Sequence, residues 1–104
     1  DDRQFFFAYR VVIANEGEEP AQLVSRHWVI SDSEGRVENV RGPGVVGEQP
    51  RLEPGQEHVY SSFCPLKTSS GSMRGTFQMV RDVPGREFDA LVAPFPLFAP
   101  QLLN

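Results

Sequence analysis

The residues best placed to do chemistry in this chain lie in one stretch, Arg41-Gly42-Pro43-Gly44-Val45-Val46-Gly47-Glu48-Gln49-Pro50. Gly42, Gly44 and Gly47 fit GxGxxG, the spacing of a turn that cradles a pyrophosphate. Such a turn leaves a strand and opens a helix, because the phosphate sits on the helix N-terminus. Here Pro50, Pro54 and Gly55 follow and leave no length for a helix. The glycines are therefore expected to supply positive φ and close backbone approach in a long crossing loop. The alternative is a nucleotide or polyphosphate, with a divalent ion, held by these glycines together with Arg41 and Arg74.

Other reactive groups are sparse. Cys64 with His27 or His58 would make a thiol nucleophile and its base. A thiolate needs a helix N-terminus or a cationic neighbour, whereas Cys64 falls on an expected strand before Pro65 and reads as a small apolar filler. His27 and His58 share no ligand-like spacing with each other or with a nearby acid, so neither a metal site nor a cofactor is expected. Glu16, Glu18 and Glu19 cluster at a turn, where solvated acids are ordinary. Ser69-Ser70-Gly71-Ser72 looks like an anion loop but lacks a helix, and reads as a hairpin connection. No carboxylate pair or base stands at a spacing suited to hydrolysis, and the chain is not expected to be an enzyme.

Composition bounds the setting. A chain of 104 residues is read as one domain, 1–104, able to bury roughly 60 to 70% of its unfolded surface. Its net charge is −4, from 14 acidic and 10 basic residues with no basic run, which argues against nucleic acid. All the basic residues except Lys67 are arginines, whose planar forks suit protein contacts better than diffuse attraction to phosphate. The single cysteine leaves no internal disulfide and fits a reducing, cytoplasmic compartment. No apolar run approaches the roughly 20 residues of a membrane span. Asp1-Asp2-Arg3-Gln4 has no signal-peptide character, so no membrane partner is expected.

The elements that must position these residues read as strands. Short apolar segments alternate with Gly and Pro turn signals at intervals of roughly ten residues, the pattern of a sandwich or barrel. Phe5 to Asn15 places Phe7, Tyr9, Val11 and Ile13 on one face. Ala21 to Ser31 carries Leu23 on one parity and Trp28 and Ile30 on the other, which predicts a β-bulge near Ser25-Arg26 that turns Arg26 or His27 outward. Asp32-Ser33-Glu34-Gly35 is a turn, and Arg36 to Arg41 a short exposed strand. Val45 and Val46, if extended, point to opposite sides, one anchoring the loop and one facing out. Further strands are expected over Glu57–Cys64, Ser72–Arg81 and Arg86–Ala93, with a turn at Asp82-Val83-Pro84-Gly85. Pro94 to Pro100 is too proline-rich for anything but an edge or packed tail. The expected fold is all-β, an immunoglobulin-like or fibronectin-III-like sandwich of about seven antiparallel strands, with Trp28 a candidate core plug.

Tyr9-Arg10-Val11, Gln22 to Trp28, Arg41 to Pro50, Tyr60-Ser61-Ser62 and Gly71 to Gly75 together resemble the ApaG family, in family order along essentially the whole chain. The resemblance implies a fibronectin-III-like sandwich. It also implies either a free-standing bacterial protein associated with cobalt and magnesium resistance, or an interaction domain of a larger protein. The ending Ala99 to Asn104 is similar to the bacterial form. Bacterial members usually carry another strand before the counterpart of Phe5, so the chain is expected to be part of something longer.

The function expected on these grounds is non-enzymatic protein interaction, possessing a link to divalent cation homeostasis through the family resemblance. The surface would combine Arg26 and His27 beside the bulge, the loop residues Arg41, Gly42, Gly44, Val45, Val46, Gly47 and Glu48, and Arg74. The partner is an unidentified protein, with a weak homodimer through an exposed sheet edge as a further expectation.

Overall fold

The computed structural model describes residues 4–82 and 86–98. The expected turn past Asp82, the N-terminal Asp1-Asp2-Arg3 and the ending from Ala99 lie outside the described residues. Among the described residues there are seven strands: β1 (Phe5–Ala14), β2 (Ala21–Asp32), β3 (Val37–Pro43), β4 (Arg51–Leu52), β5 (Glu57–Leu66), β6 (Ser70–Arg81) and β7 (Glu87–Phe98). All pair antiparallel. β1 and β5 make one sheet, and β3-β2-β6-β7 the other, with short β4 on the same edge of β2 as β3. The architecture is the expected fibronectin-III-like sandwich.

Alternation builds the core. Phe7 and Ile13 of β1, Tyr60 and Cys64 of β5, and Met73, Phe77 and Met79 of β6 are all buried. Trp28 is the central plug at 3% exposure. Its ring centroid lies 5.8 Å from Tyr9, 5.7 Å from Phe77 and 6.0 Å from Phe95, each close to edge-on. Such pairs add about 0.5–1.5 kcal/mol each beyond the area they bury, and these three tie β1, β2, β6 and β7 together. Gly75 makes room for the plug, since a Cβ there would meet the Trp28 ring at 2.9 Å.

The bulge in β2 is real and lies one residue earlier than expected. Leu23 faces Met79 while Ser25 faces Gln78, so Val24 is the extra residue. The phase change lets Leu23, Trp28 and Ile30 all reach the core. It also decides the two neighbours differently. His27 faces out, but Arg26 is paired across from buried Phe77 and shares the inward parity of Trp28. Deleting Val24 would leave Leu23 and Trp28 four residues apart and still on one face of a regular strand. It would, however, remove the carbonyl that accepts from the Gly44 amide and the Gln49 side chain, so the variant is expected to keep its β-sheet circular dichroism spectrum and melt well below the parent. A variant melting within a few degrees of the parent would show that the bulge is dispensable.

Two strand ends also differ from expectation. β3 continues through Gly42 and Pro43, which an edge strand tolerates. β7 does not stop at Ala93 but runs to Phe98, because its proline-rich half pairs with β6 across a register shift between Met73–Phe95 and Gly75–Val92. β7 is the edge strand that its prolines require.

The β2–β3 turn is held by one carboxylate. Asp32 accepts from the Glu34 and Arg36 amides at 2.9 and 3.0 Å and pairs with Arg36 Nε at 2.6 Å. Desolvation pulls the Asp32 carboxyl upward, but the bonds from Arg36 and the two amides outweigh it and hold the group below its ordinary 3.8. A depressed folded value means that the stabilisation is present above 3.8 and is lost as pH falls through the lower value. Asp32→Asn should therefore flatten the acid limb of stability against pH in chemical denaturation; an unchanged limb would remove Asp32 from that role.

Candidate functional site

The glycine stretch runs along one edge of β2, between β3 and β4, and is docked onto the bulge. The Val24 carbonyl accepts from the Gly44 amide at 2.8 Å and from Gln49 Nε2 at 2.9 Å. The Leu23 amide donates to the Pro50 carbonyl at 2.9 Å. From the inner side, Arg26 Nη1 donates to the Pro43 and Gly44 carbonyls at 3.0 and 2.9 Å. A Cβ on Gly42 would press against that guanidinium at 3.0 Å. One on Gly44, which has φ +59°, would strike the Glu48 carbonyl. Arg26 is thus a clasp for the loop: its parity is that of Trp28, and its guanidinium is engaged by the loop carbonyls at the sheet edge.

At the loop tip Val45 and Glu48 exchange backbone bonds of 2.8 and 3.0 Å across Val46 and Gly47, whose φ values are +47° and +78°. Positive φ at both central residues is the signature of a type I′ turn, which prefers Asn-Gly. Val45 is 1% exposed and anchors the loop, while Val46 is 62% exposed. The opposite directions of the two valines were legible, but they come from a turn and not from an extended backbone. A β-branched residue at positive φ is strained by about 1–2 kcal/mol. Val46→Asn is accordingly expected to raise stability by about 1 kcal/mol and Tm by roughly 4–8 °C. A melting point that stays level or falls would disprove the strain.

The loop's hydrogen bonds bear on the phosphate reading. The amides of Gly44, Val45 and Glu48 are all spent on protein carbonyls, and none is presented as a free donor. No helix follows; β4 does. The glycines here serve the loop's own backbone.

Three of the arginine and histidine positions do meet. On the outer face of the larger sheet, the ladders place Arg41, His27, Thr76 and Leu91 in one row. Asn39, Val29 and Arg74 form the next row, and Pro43, Ser25, Gln78 and Asp89 the row on the other side. His27 Nε2 is 2.8 Å from Asn39 Oδ1, and Ser25 Oγ donates to Gln78 Oε1 at 2.8 Å. A shallow depression beside the loop is lined by Ser25, Arg26, Arg41, Gly42, Gln78 and Asp89, among others. Among the described residues, the arginines engaged in ion pairs are Arg36, Arg51 and Arg81; Arg41 and Arg74 are not. Leu91 is 83% exposed at the far end of the row. Its outward parity was readable from the last strand, but its place in line with Arg41 was not, since that depends on three successive registers. Glu48 points elsewhere, its carboxylate lying 3.7 Å from His58 Nε2 on β5.

Cys64 is 2% exposed, and burial, with the charge of Glu38 adding to it, pushes its thiol upward. This is the reverse of what a thiolate nucleophile requires. No helix among the described residues is long and apolar enough to cross a membrane.

A two-layer sandwich with a pinned edge loop and an arginine-bearing sheet face defines a fibronectin-III-like module. The family model of the ApaG domain matches residues 1–81. The chain is 60% identical over 101 residues to Protein ApaG of Anaeromyxobacter dehalogenans strain 2CP-C, covering 97% of this chain and 80% of that protein. It is 48% identical over 104 residues to Protein ApaG of Pseudomonas fluorescens strain Pf0-1, covering 100% and 82%. The crystal structure of the putative ApaA protein from Bordetella pertussis superposes with a TM-score of 0.89 at 50% identity, over 95% of this chain and 80% of that one. The chain belongs to the ApaG family.

Proposed function

We propose that this ApaG-family chain is a non-catalytic protein-interaction module, and that its recognition surface is the outer face of the larger sheet together with the tip of the β3–β4 loop. The observation that carries the reading is the row Arg41, His27, Thr76 and Leu91 beside Arg74: two arginines outside the ion pairs among the described residues flank a neutral polar centre and a large exposed leucine. Arginine is enriched in interface cores because its fork pairs bidentately and its plane stacks. The loop adds Val46 on a rigid mount, so little order is lost when a partner covers it. One buried thiol and a net negative charge suit a cytoplasmic setting. A part in cobalt or magnesium handling would be exercised through the partner, since among the described residues no three His, Cys, Asp or Glu side chains gather as a ligand set.

Affinity capture from a bacterial lysate, comparing the parent with Arg41→Ala, Arg74→Ala and Val46→Asp, tests the surface. Each variant should retain the fold and lose roughly tenfold or more in recovery of a specific partner, the size of effect found when an interface hot spot is removed. Equal recovery by all three would count against this face.

A further inference from the structure

The other sheet carries a surface of different chemistry. Strict alternation in β1 and β5 turns Phe6, Ala8, Arg10, Val12 and Ala14 outward from one strand and Glu57, Val59, Ser61, Phe63 and Pro65 from the other, all of them exposed. Phe6 and Phe63 are 69% and 72% exposed, Val12 and Val59 48% and 42%. Such a density of apolar side chains on an outer sheet face marks an interaction site. The arrangement has two lobes. Phe6, Ala8, Phe63 and Pro65 form one, Val12, Ala14 and Val59 the other, which Glu57 closes across from Ala14, and between the lobes Arg10 lies directly across from Ser61. Arg10 takes part in none of the ion pairs among the described residues.

We infer that this strip docks an amphipathic helix of another protein, whose apolar stripe covers the two lobes and whose central Asp or Glu meets Arg10. Two features select that occupant. The first is shape: ten residues of two strands make a strip about 30 Å by 10 Å, roughly the length and width of one helix lying along the strands. The second is charge. Arg10 is the middle of five outward positions, so a two-fold through the centre of the strip brings Arg10 against Arg10, and the face's one acid, Glu57, stands at the end of the strip. A helix with a central carboxylate replaces that repulsion with a charge-assisted pair. A lipid surface is disfavoured by the net charge of −4. The strip lies on the opposite layer from the arginine row, so the two surfaces stand or fall separately.

Selection from a displayed library of 18-residue amphipathic helices tests the inference. Enriched sequences should carry leucine or phenylalanine at helical spacing with Asp or Glu at the centre. Phe63→Ser should weaken their binding at least tenfold, and so should Arg10→Glu. Changing the peptide's central acid to Lys should restore binding to the Arg10→Glu variant, a rescue that a merely structural effect would not give. Four results would overturn the inference: no enriched helix, equal binding by Phe63→Ser, sedimentation showing self-association that perturbs Phe6 and Phe63, or binding to phosphatidylcholine–phosphatidylglycerol vesicles that blocks the strip.

Discussion

Val24 adds one residue to β2, and its carbonyl receives both the Gly44 amide and the Gln49 side chain. Those two facts organise the molecule. The extra residue reconciles Leu23 with Trp28 and Ile30, so that one strand can line the core along its full length. Displacing the ladder there also produces the docking point for the loop between β3 and β4. Without the phase change, Arg26 would face solvent and His27 the core; with it, the guanidinium closes over Gly42 and His27 joins the outer face.

The loop shows how a motif can persist while its chemistry differs. A phosphate cradle needs unoccupied amides and a helix dipole behind them. In this chain the amides of Gly44, Val45 and Glu48 are satisfied by the carbonyls of Val24, Glu48 and Val45, and a two-residue strand follows. Gly44 is required by its φ and by the nearby Glu48 carbonyl, Gly42 by the Arg26 guanidinium. What the loop presents is the strained Val46, held at positive φ by the hairpin bonds beneath it. Strain of this kind persists where the surroundings over-determine the backbone, and Val45 in the core supplies that anchorage.

Each layer of the sandwich thus offers a distinct outer face. The larger sheet is polar, with arginines and a hydrogen-bonded His27–Asn39 pair. The smaller is mostly apolar, with Arg10 and Ser61 at its centre and Glu57 at one end. A sandwich fills its core with alternate residues only, so the remaining half of each strand is free to specify surface chemistry without disturbing the fold.

By itself the sequence determined the all-β class, the strand count, the inward sets on β1 and β6, the need for a bulge in β2 and the division of labour between Val45 and Val46. These follow from a period of two and from turn residues, both local properties of the chain. Only the tertiary structure decided where the bulge sits, and its place before Ser25 gives Arg26 the inward parity of Trp28. It alone set Leu91 in line with Arg41, through ladders linking residues fifty positions apart in the chain. The reason is that alternation fixes which residues share a side within one strand, whereas the phase beyond a bulge and the register between strands are settled by core packing and long-range hydrogen bonds.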